Sequence, residues 1–326
     1  MELNKKNLGQ YFTKHSFWLK PQVKKFIEKV NPKVIIDPFV GDGDLLGVAR
    51  SLGFTNVQGF DIDPSLGWEI NDSLKSIPKF EGGLIITNPP YLAKNSATKN
   101  KLAGSSYFEG NNFQDLYQLA ILNALSSCDC SIFIIPETFV TASLFSECID
   151  SITIIEENPF EDTECPICVC CFRKDVLFES RVYDIFKGDL FLFDSFELSY
   201  RIKKYKPKSK FGISFNDLKG NLGLRGVDGV REDDRIRFCL PKDLDYDLSK
   251  IKVSSRAITL IDVETEVSPI FIERINSLLE DYRMRTHDIL LSPFKNNNEK
   301  GHRRRRIDFM LARKLINKTI ESLNRY

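Results

Sequence analysis

No stretch of this 326-residue chain reaches the roughly 18 consecutive apolar residues that a bilayer span requires. The first residues, Met1 to Lys6, are polar and no apolar signal region follows them. The expectation is a soluble, unexported, cytoplasmic protein. Histidine is scarce: His15, His287 and His302 are the 3 present, and none shares a motif with an acid and a nucleophile, so hydrolytic chemistry finds no support. Cys165-x-x-Cys168, with Cys170 and Cys171 beside it, lacks the second cysteine pair that a zinc site needs, since the one later cysteine is Cys239. No metal is expected. In a chain of this size without an export signal, the 8 cysteines read as free thiols rather than a disulfide framework. No internal repeat is present.

The length and the 42% hydrophobic content suffice for two domains, expected at 1–178 and 179–326. The net charge of +1 conceals an asymmetry. Residues 1–174 carry 16 Lys+Arg against 21 Asp+Glu, net −5, whereas residues 175–326 carry 30 against 24, net +6. A basic half suits a polyanion, because each phosphate neutralised releases counterions. It also suits an ordinary solvated surface.

In the first half, short apolar runs alternate with amphipathic stretches. KVIID (33–37), VQGFD (57–61), GLIIT (83–87), SIFIIP (131–136), SITII (151–155) and PICVCCF (166–172) predict strands. PQVKKFIEKV (21–30), DLLGVARSLG (44–53) and FQDLYQLAILNALSS (113–127) predict helices, the last burying Leu116, Leu119, Ala120 and Leu122. The alternation predicts an α/β, Rossmann-like, doubly wound parallel sheet followed by a mixed α+β domain. In such sheets ligands bind beyond the carboxyl ends of the strands. Residues 92–113 are polar, rich in Gly, Ser and Asn and longer than an ordinary connection, which favours a functional lid over disorder. In the second half, a glycine-rich loop spans 220–229 and a helical tail runs from Ile307.

The strand tips carry the chemistry. DPFVGDGDLL (37–46) places Asp37 at the first tip and Gly41 and Gly43 where a helix begins, glycines that let backbone approach a ligand closely. Leu46 takes the third glycine's place in GDGDLL, which disfavours a dinucleotide cofactor. Asp61, at the second tip about twenty residues on, is placed to accept from ribose hydroxyls. Asp72 suits either an adenine amino group or a helix cap or turn. At the third apolar run comes NPPY, Asn88-Pro89-Pro90-Tyr91. The Asn88 side-chain carbonyl and a backbone carbonyl on a rigid proline segment can converge on one amino group. Accepting both hydrogens of an aromatic amine favours a tetrahedral nitrogen with its lone pair aimed outward, an effect of about a few kcal/mol. Tyr91 offers a face for a stacked base, at roughly 1–3 kcal/mol.

On these motifs the chain resembles N6-adenine DNA methyltransferases of the gamma arrangement. GQYFT resembles the N-terminal segment over the methionine end of S-adenosylmethionine, which implies cofactor roles for Gln10, Tyr11 and Thr13. DPFVGDG resembles the methionine loop, with Asp37, Pro38 and Gly41; Asp61 and Ile62 resemble the ribose segment, Asp72 the adenine ligand and NPPY the catalytic tetrad, with Asn88 also touching cofactor. In the family a second aromatic sandwiches the flipped adenine, which implies Phe172, with Phe160 as alternative, in NPFEDTECPICVCCFRK (158–174). These motifs cover roughly residues 8–174, and the whole chain resembles modification enzymes acting on CATG. The resemblance implies double-stranded DNA as substrate, base flipping, S-adenosyl-L-methionine as cofactor, a monomer and a cognate restriction endonuclease. Arg303, Arg304, Arg305 and Arg306, near Lys300 and His302, are candidates for phosphate contact; Arg225 and Arg231 are candidates for reading guanine edges. The rival readings are methylation of an rRNA adenine or a protein glutamine on the same tetrad, and a DNA-binding protein with an inactive methyltransferase fold.

Overall fold

The computed structural model describes residues 16–142, 144–157, 165–174, 182–247, 250, 255 and 257–324. Gln10, Tyr11, Thr13 and Phe160 lie outside the described residues. The chain divides into two compact units at Asp194/Ser195.

In the first unit, α1 (Pro21–Val30) begins with proline at its first turn, where the missing N–H costs nothing, and stops at Asn31, whose φ of 46° is left-handed. After it come β1 (Val34–Asp37), α2 (Asp44–Ser51), β2 (Val57–Asp61), β3 (Glu69–Ile70) and β4 (Gly83–Thr87). Then follow α3 (Lys94–Lys99), α4 (Leu116–Ser127), β5 (Cys130–Pro136), β6 (Ile149–Ile154), β7 (Ile167–Arg173), β8 (Asp184–Lys187) and β9 (Leu190–Asp194). They form one nine-stranded sheet in the order β3-β2-β1-β4-β5-β7-β6-β8-β9. β1 pairs in parallel with β2 on one side and β4 on the other, so the strand order reverses direction there and a crevice opens beyond their carboxyl ends.

The fold is α/β and Rossmann-like, with a mixed rather than an all-parallel sheet. β7 runs antiparallel between β5 and β6, and β9 antiparallel to β8. Because β8 and β9 hydrogen-bond onto this sheet through β6, the division falls at Asp194 rather than at 178. One face of the sheet is sealed by a core that includes Trp18, Val23, Phe26, Leu46, Ile35 and Ile132. The expected helix 113–127 starts at Leu116 and is buried on more than one side, for Tyr117, Gln118, Ile121 and Leu125 are buried with Leu116 and Ala120, whereas Leu122 is exposed.

The second unit comprises α5 (Ser195–Lys203), strands β10 (Ile213–Phe215), β11 (Leu222–Arg225), β12 (Arg237–Cys239) and β13 (Ile258–Val263), then α6 (Pro269–Thr286), the hairpin β14 (Ser292–Asn297) and β15 (Arg303–Arg306), and α7 (Phe309–Leu323). Four of these strands form an antiparallel sheet in the order β10-β13-β11-β12, which shares a core with α6 and α7 through Leu222, Ile261, Phe271, Ile275, Leu315 and Ile316. Ser268 caps α6 by accepting from the Phe271 N–H at 3.3 Å, and Asp308 caps α7 by accepting from the Leu311 N–H at 2.7 Å. Among the described residues, no helix is long and apolar enough to cross a membrane.

Candidate active site

The tips of β1, β2 and β4 meet at the crevice. Asp37 ends β1 with 1% exposure. Its Oδ1 accepts from the Thr87 hydroxyl at 2.6 Å and from the Phe39 N–H at 3.1 Å. Burial is the largest cause pushing this carboxyl up, to about 7, with the nearby Asp61 charge adding to it and the two hydrogen bonds opposing it. Near neutral pH the group is therefore poised between its two charge states, and a cation arriving beside it would complete the ionisation.

Asp61 ends β2 and holds two turns at once. Its Oδ2 accepts from the Gly41 N–H at 3.0 Å and its Oδ1 from the Asp63 N–H at 2.9 Å. Each oxygen keeps a second lone-pair direction. The glycine turn needs its glycines: Gly41 and Gly43 sit at φ 53° and 87°, and a Cβ on Gly43 would meet Trp68 Cζ2 at 2.8 Å. Trp68 was not legible as a site residue, yet its indole N–H donates to the Gly41 carbonyl at 2.9 Å and its ring also lies where a Cβ on Gly59 would fall. Tryptophan is rare in the chain, with 2 copies, but nothing in the local periodicity assigns this one to the turn.

The tetrad follows β4 directly. Thr87, Pro89 and Pro90 are buried and Asn88 and Tyr91 are partly exposed. The Tyr91 hydroxyl is hydrogen-bonded to the Asn88 side-chain amide and lies 2.7 Å from the Ile134 carbonyl of β5, which ties the tetrad to the neighbouring strand. Behind the tetrad the chain is tied down by Lys94 N–H to Gln114 O at 2.9 Å and Leu116 N–H to Leu92 O at 3.2 Å. Residues 92–113 carry α3 and a 3-10 turn at Ala103–Phe108.

A cleft of about 30 Å³ runs past Pro38, Asp61, Ile62, Asp72, Pro90 and Tyr107. It brings four of the cofactor candidates beside one member of the tetrad. Asp72 accepts on Oδ2 from the Tyr107 hydroxyl and from Lys75 Nζ, each at 3.0 Å. Tyr107, within the polar segment, is a second contributor that sequence reading missed, because its contact with Asp72 spans 35 positions.

Phe172 does not belong to this site. It is fully buried, with edge-on ring contacts to Phe133 and Phe139 at 5.8 and 5.9 Å. It pairs with Ser131 near the start of β5, whereas the mouth-side end of β7 is Ile167, opposite Pro136. The cause is strand direction: in an antiparallel strand the last residues lie at the amino edge of its parallel neighbours.

In the second unit the arginine run is β15, neither a helix start nor a uniformly solvated face. Arg305 is buried and its guanidinium donates to the Leu291 carbonyl at 3.4 Å, which removes it from phosphate contact. Arg304 donates from Nε to the Asp228 carbonyl at 2.7 Å and lies over the Phe294 ring, 5.1 Å from its centre. Arg303 and Arg306 are partly exposed. Arg225 is held by Asp234 at 2.9 Å, which argues against a role at guanine edges; Arg231 is exposed, 3.5 Å from Asp233. Arg231, Arg303, Arg304 and His302 line a polar cavity of about 200 Å³ within this unit.

Cys168, Cys170 and Cys171 are buried in β7. Among the described residues, no group of three or more His, Cys, Asp or Glu side chains is placed to hold a metal ion.

No family model and no curated protein matches the chain. Among solved structures it is similar to the type I restriction-modification system methyltransferase subunit from Streptococcus thermophilus, at 17% identity and TM-score 0.41, covering 56% of this chain and 48% of that one. It is also similar to the type I restriction enzyme EcoKI M protein, at 14% identity and TM-score 0.38, over 88% of this chain and 73% of that one. The type IIG restriction endonuclease BpuSI is similar at 18% identity and TM-score 0.38, over 54% and 27%. The chain thus spans about half the length of the first of these. Likenesses this distant carry no assignment, which rests on the geometry of the site.

Proposed function

We propose that the protein is a DNA methyltransferase that moves a methyl group from S-adenosyl-L-methionine to the N6 amino group of adenine in a short duplex site, with CATG as the first site to test. The observation that carries the reading is that Asp61, Asp72 and Pro90 line one cleft at the carboxyl edge of the sheet. The donor set fits the cofactor. Asp61 offers carboxylate lone pairs to ribose hydroxyls, Asp72 offers one to a base amino group, Ile62 supplies an apolar wall, and ionised Asp37 would balance an ammonium. When bound, the cofactor supplies an activated methyl group.

The chain's own part is to aim the acceptor. Asn88 Oδ1 and the Pro89 carbonyl take the two hydrogens of the target amine, and the Tyr91 hydroxyl holds the Asn88 side chain in place. Such preorganised dipoles lower a barrier by about a few kcal/mol. Tyr91 is the stacking face for the base, and extruding that base costs a few kcal/mol, which contacts from the basic unit offset. Arg303, Arg304 and Arg306 are the proposed phosphate contacts, and Arg231 is the proposed reader of a guanine edge. On this reading the chain works as a monomer, and a cognate endonuclease for the same site is a natural companion.

The test measures labelled methyl transfer to duplex DNA, ribosomal RNA and protein, with mapping of the modified base. Asn88→Ala is expected to abolish transfer to DNA while S-adenosylhomocysteine binding persists. Full activity in that variant, or transfer confined to RNA or protein, refutes the assignment.

A further inference from the structure

Tyr107 stands about sixteen residues beyond the tetrad, yet its side chain returns to the cofactor side of the cleft. Its hydroxyl donates to Asp72 Oδ2 at 3.0 Å, and Lys75 Nζ reaches the same oxygen at 3.0 Å. Both partners load one carboxylate oxygen, which leaves Oδ1 without a partner among the described residues. The residue also lines the cleft with Asp61, Ile62 and Pro90. Its backbone is fixed independently of Asp72: the Tyr107 carbonyl accepts from Asn111 Nδ2 at 2.8 Å, and Asn111 Oδ1 in turn accepts from the Phe113 N–H at 3.1 Å.

A carboxylate at a cleft rotates unless something holds it, and a rotating carboxylate selects poorly between ligand edges. A phenol is a suitable holder because it donates one hydrogen bond in a fixed direction. Here burial, then Asp72 itself, pushes the phenol up to about 12, so it stays protonated and donating across the physiological range. Phenylalanine would fill the same space without the donor.

We infer that Tyr107 is a positioning residue that sets base specificity in the cofactor subsite: by occupying Asp72 Oδ2 it presents Oδ1 to an exocyclic amino group, and its ring closes the cleft beside the base. The inference rests on the cofactor reading proposed above. A 6-amino purine donates to that oxygen, whereas a 6-oxo purine sets a carbonyl against it and is rejected.

The test is calorimetric titration of the full chain with S-adenosylhomocysteine and with its inosine counterpart, alongside thermal unfolding of each variant. Wild type is expected to favour the amino base by at least tenfold. Tyr107→Phe is expected to lose about tenfold in affinity for S-adenosylhomocysteine and nothing for the inosine form, so that the preference collapses at unchanged melting temperature. Tyr107→Leu, which also removes the ring, is expected to weaken both ligands. A Tyr107→Phe variant that keeps the wild-type preference, or loses both ligands equally, overturns the inference while leaving the cofactor reading standing. Wild type that binds neither ligand overturns both together.

Discussion

Asp37 offers the sharpest test, because its burial makes a signed prediction about stability. An ordinary aspartate titrates at 3.8, and burial holds this one at about 7. Between those values the native protein keeps a proton that the unfolded chain has released. Stability therefore falls as pH rises through the window, by about 1.4 kcal/mol per pH unit, and levels off above about pH 7. The full difference corresponds to about 4 kcal/mol, an upper figure because the denatured chain retains some structure. Asp37→Asn removes the titration and keeps a carbonyl for the Thr87 and Phe39 donors. Urea unfolding at several pH values, without cofactor, is expected to show the variant gaining on wild type from pH 4 to 7, with a constant gap of a few kcal/mol above.

The same group links pH to ligand binding. A cationic amine beside Asp37 requires the ionised form, so below about pH 7 binding expels a proton, and the affinity for S-adenosylhomocysteine is expected to rise about tenfold per unit until the carboxyl is fully ionised. Asp37→Asn should bind weakly with no such slope. A gap between wild type and variant that stays flat from pH 4 to 8 would refute the burial argument, whatever the activity shows.

Four further outcomes follow from named contacts. Gly43→Ala forces a Cβ to within 2.8 Å of Trp68 at a φ of 87°, and is expected to cost about 1–3 kcal/mol in chemical denaturation together with cofactor affinity. Phe172→Ala empties a core position and should cost about 3–5 kcal/mol, whereas Phe172→Leu should retain methylation in a transfer assay, because the ring stacks on no base. Arg283 pairs with Asp228 and Asp288, each at 2.8 Å, so Arg283→Met strands two acids and is expected to destabilise the second unit by about 3–5 kcal/mol in calorimetry. Because Arg283 is the main cause holding Asp228 below the ordinary carboxylate value despite its burial, that stability is present above about pH 4 and lost as pH falls through the native value, a slope that Arg283→Met should abolish.

The strands that build the crevice could be read from the chain because β1, β4 and β5 are buried along nearly their whole length, and continuous apolar runs bounded by turn residues have few other uses. β3 could not: both of its residues, Glu69 and Ile70, are exposed. β9 was equally opaque, since an edge strand with exposed Leu190 and Phe191 resembles a loop. Charge counting located the basic half but could not tell Arg305, which is buried, from its neighbours Arg304 and Arg306, because which face of β15 is covered is a property of the folded hairpin.

Hydrophobicity says which residues leave water and nothing about which way a strand runs. For β1, β2 and β4 that silence did no harm: all three are parallel, so every residue just past an apolar run lands at the ligand edge, as Asp37, Asp61 and Asn88 do. β7 inverts the rule. Its apolar run begins at the ligand edge and ends at the opposite one, so the residue to ask about precedes Ile167 rather than closing the strand. Phe160, the alternative aromatic, lies outside the described residues, and on the proposed mechanism Phe160→Ala should lower transfer to duplex DNA while Phe172→Leu leaves it intact. Measuring both variants on a substrate whose target adenine is mispaired separates stacking from folding. Weakened pairing lowers the cost of extrusion and should partly rescue a stacking defect but not an unfolded chain.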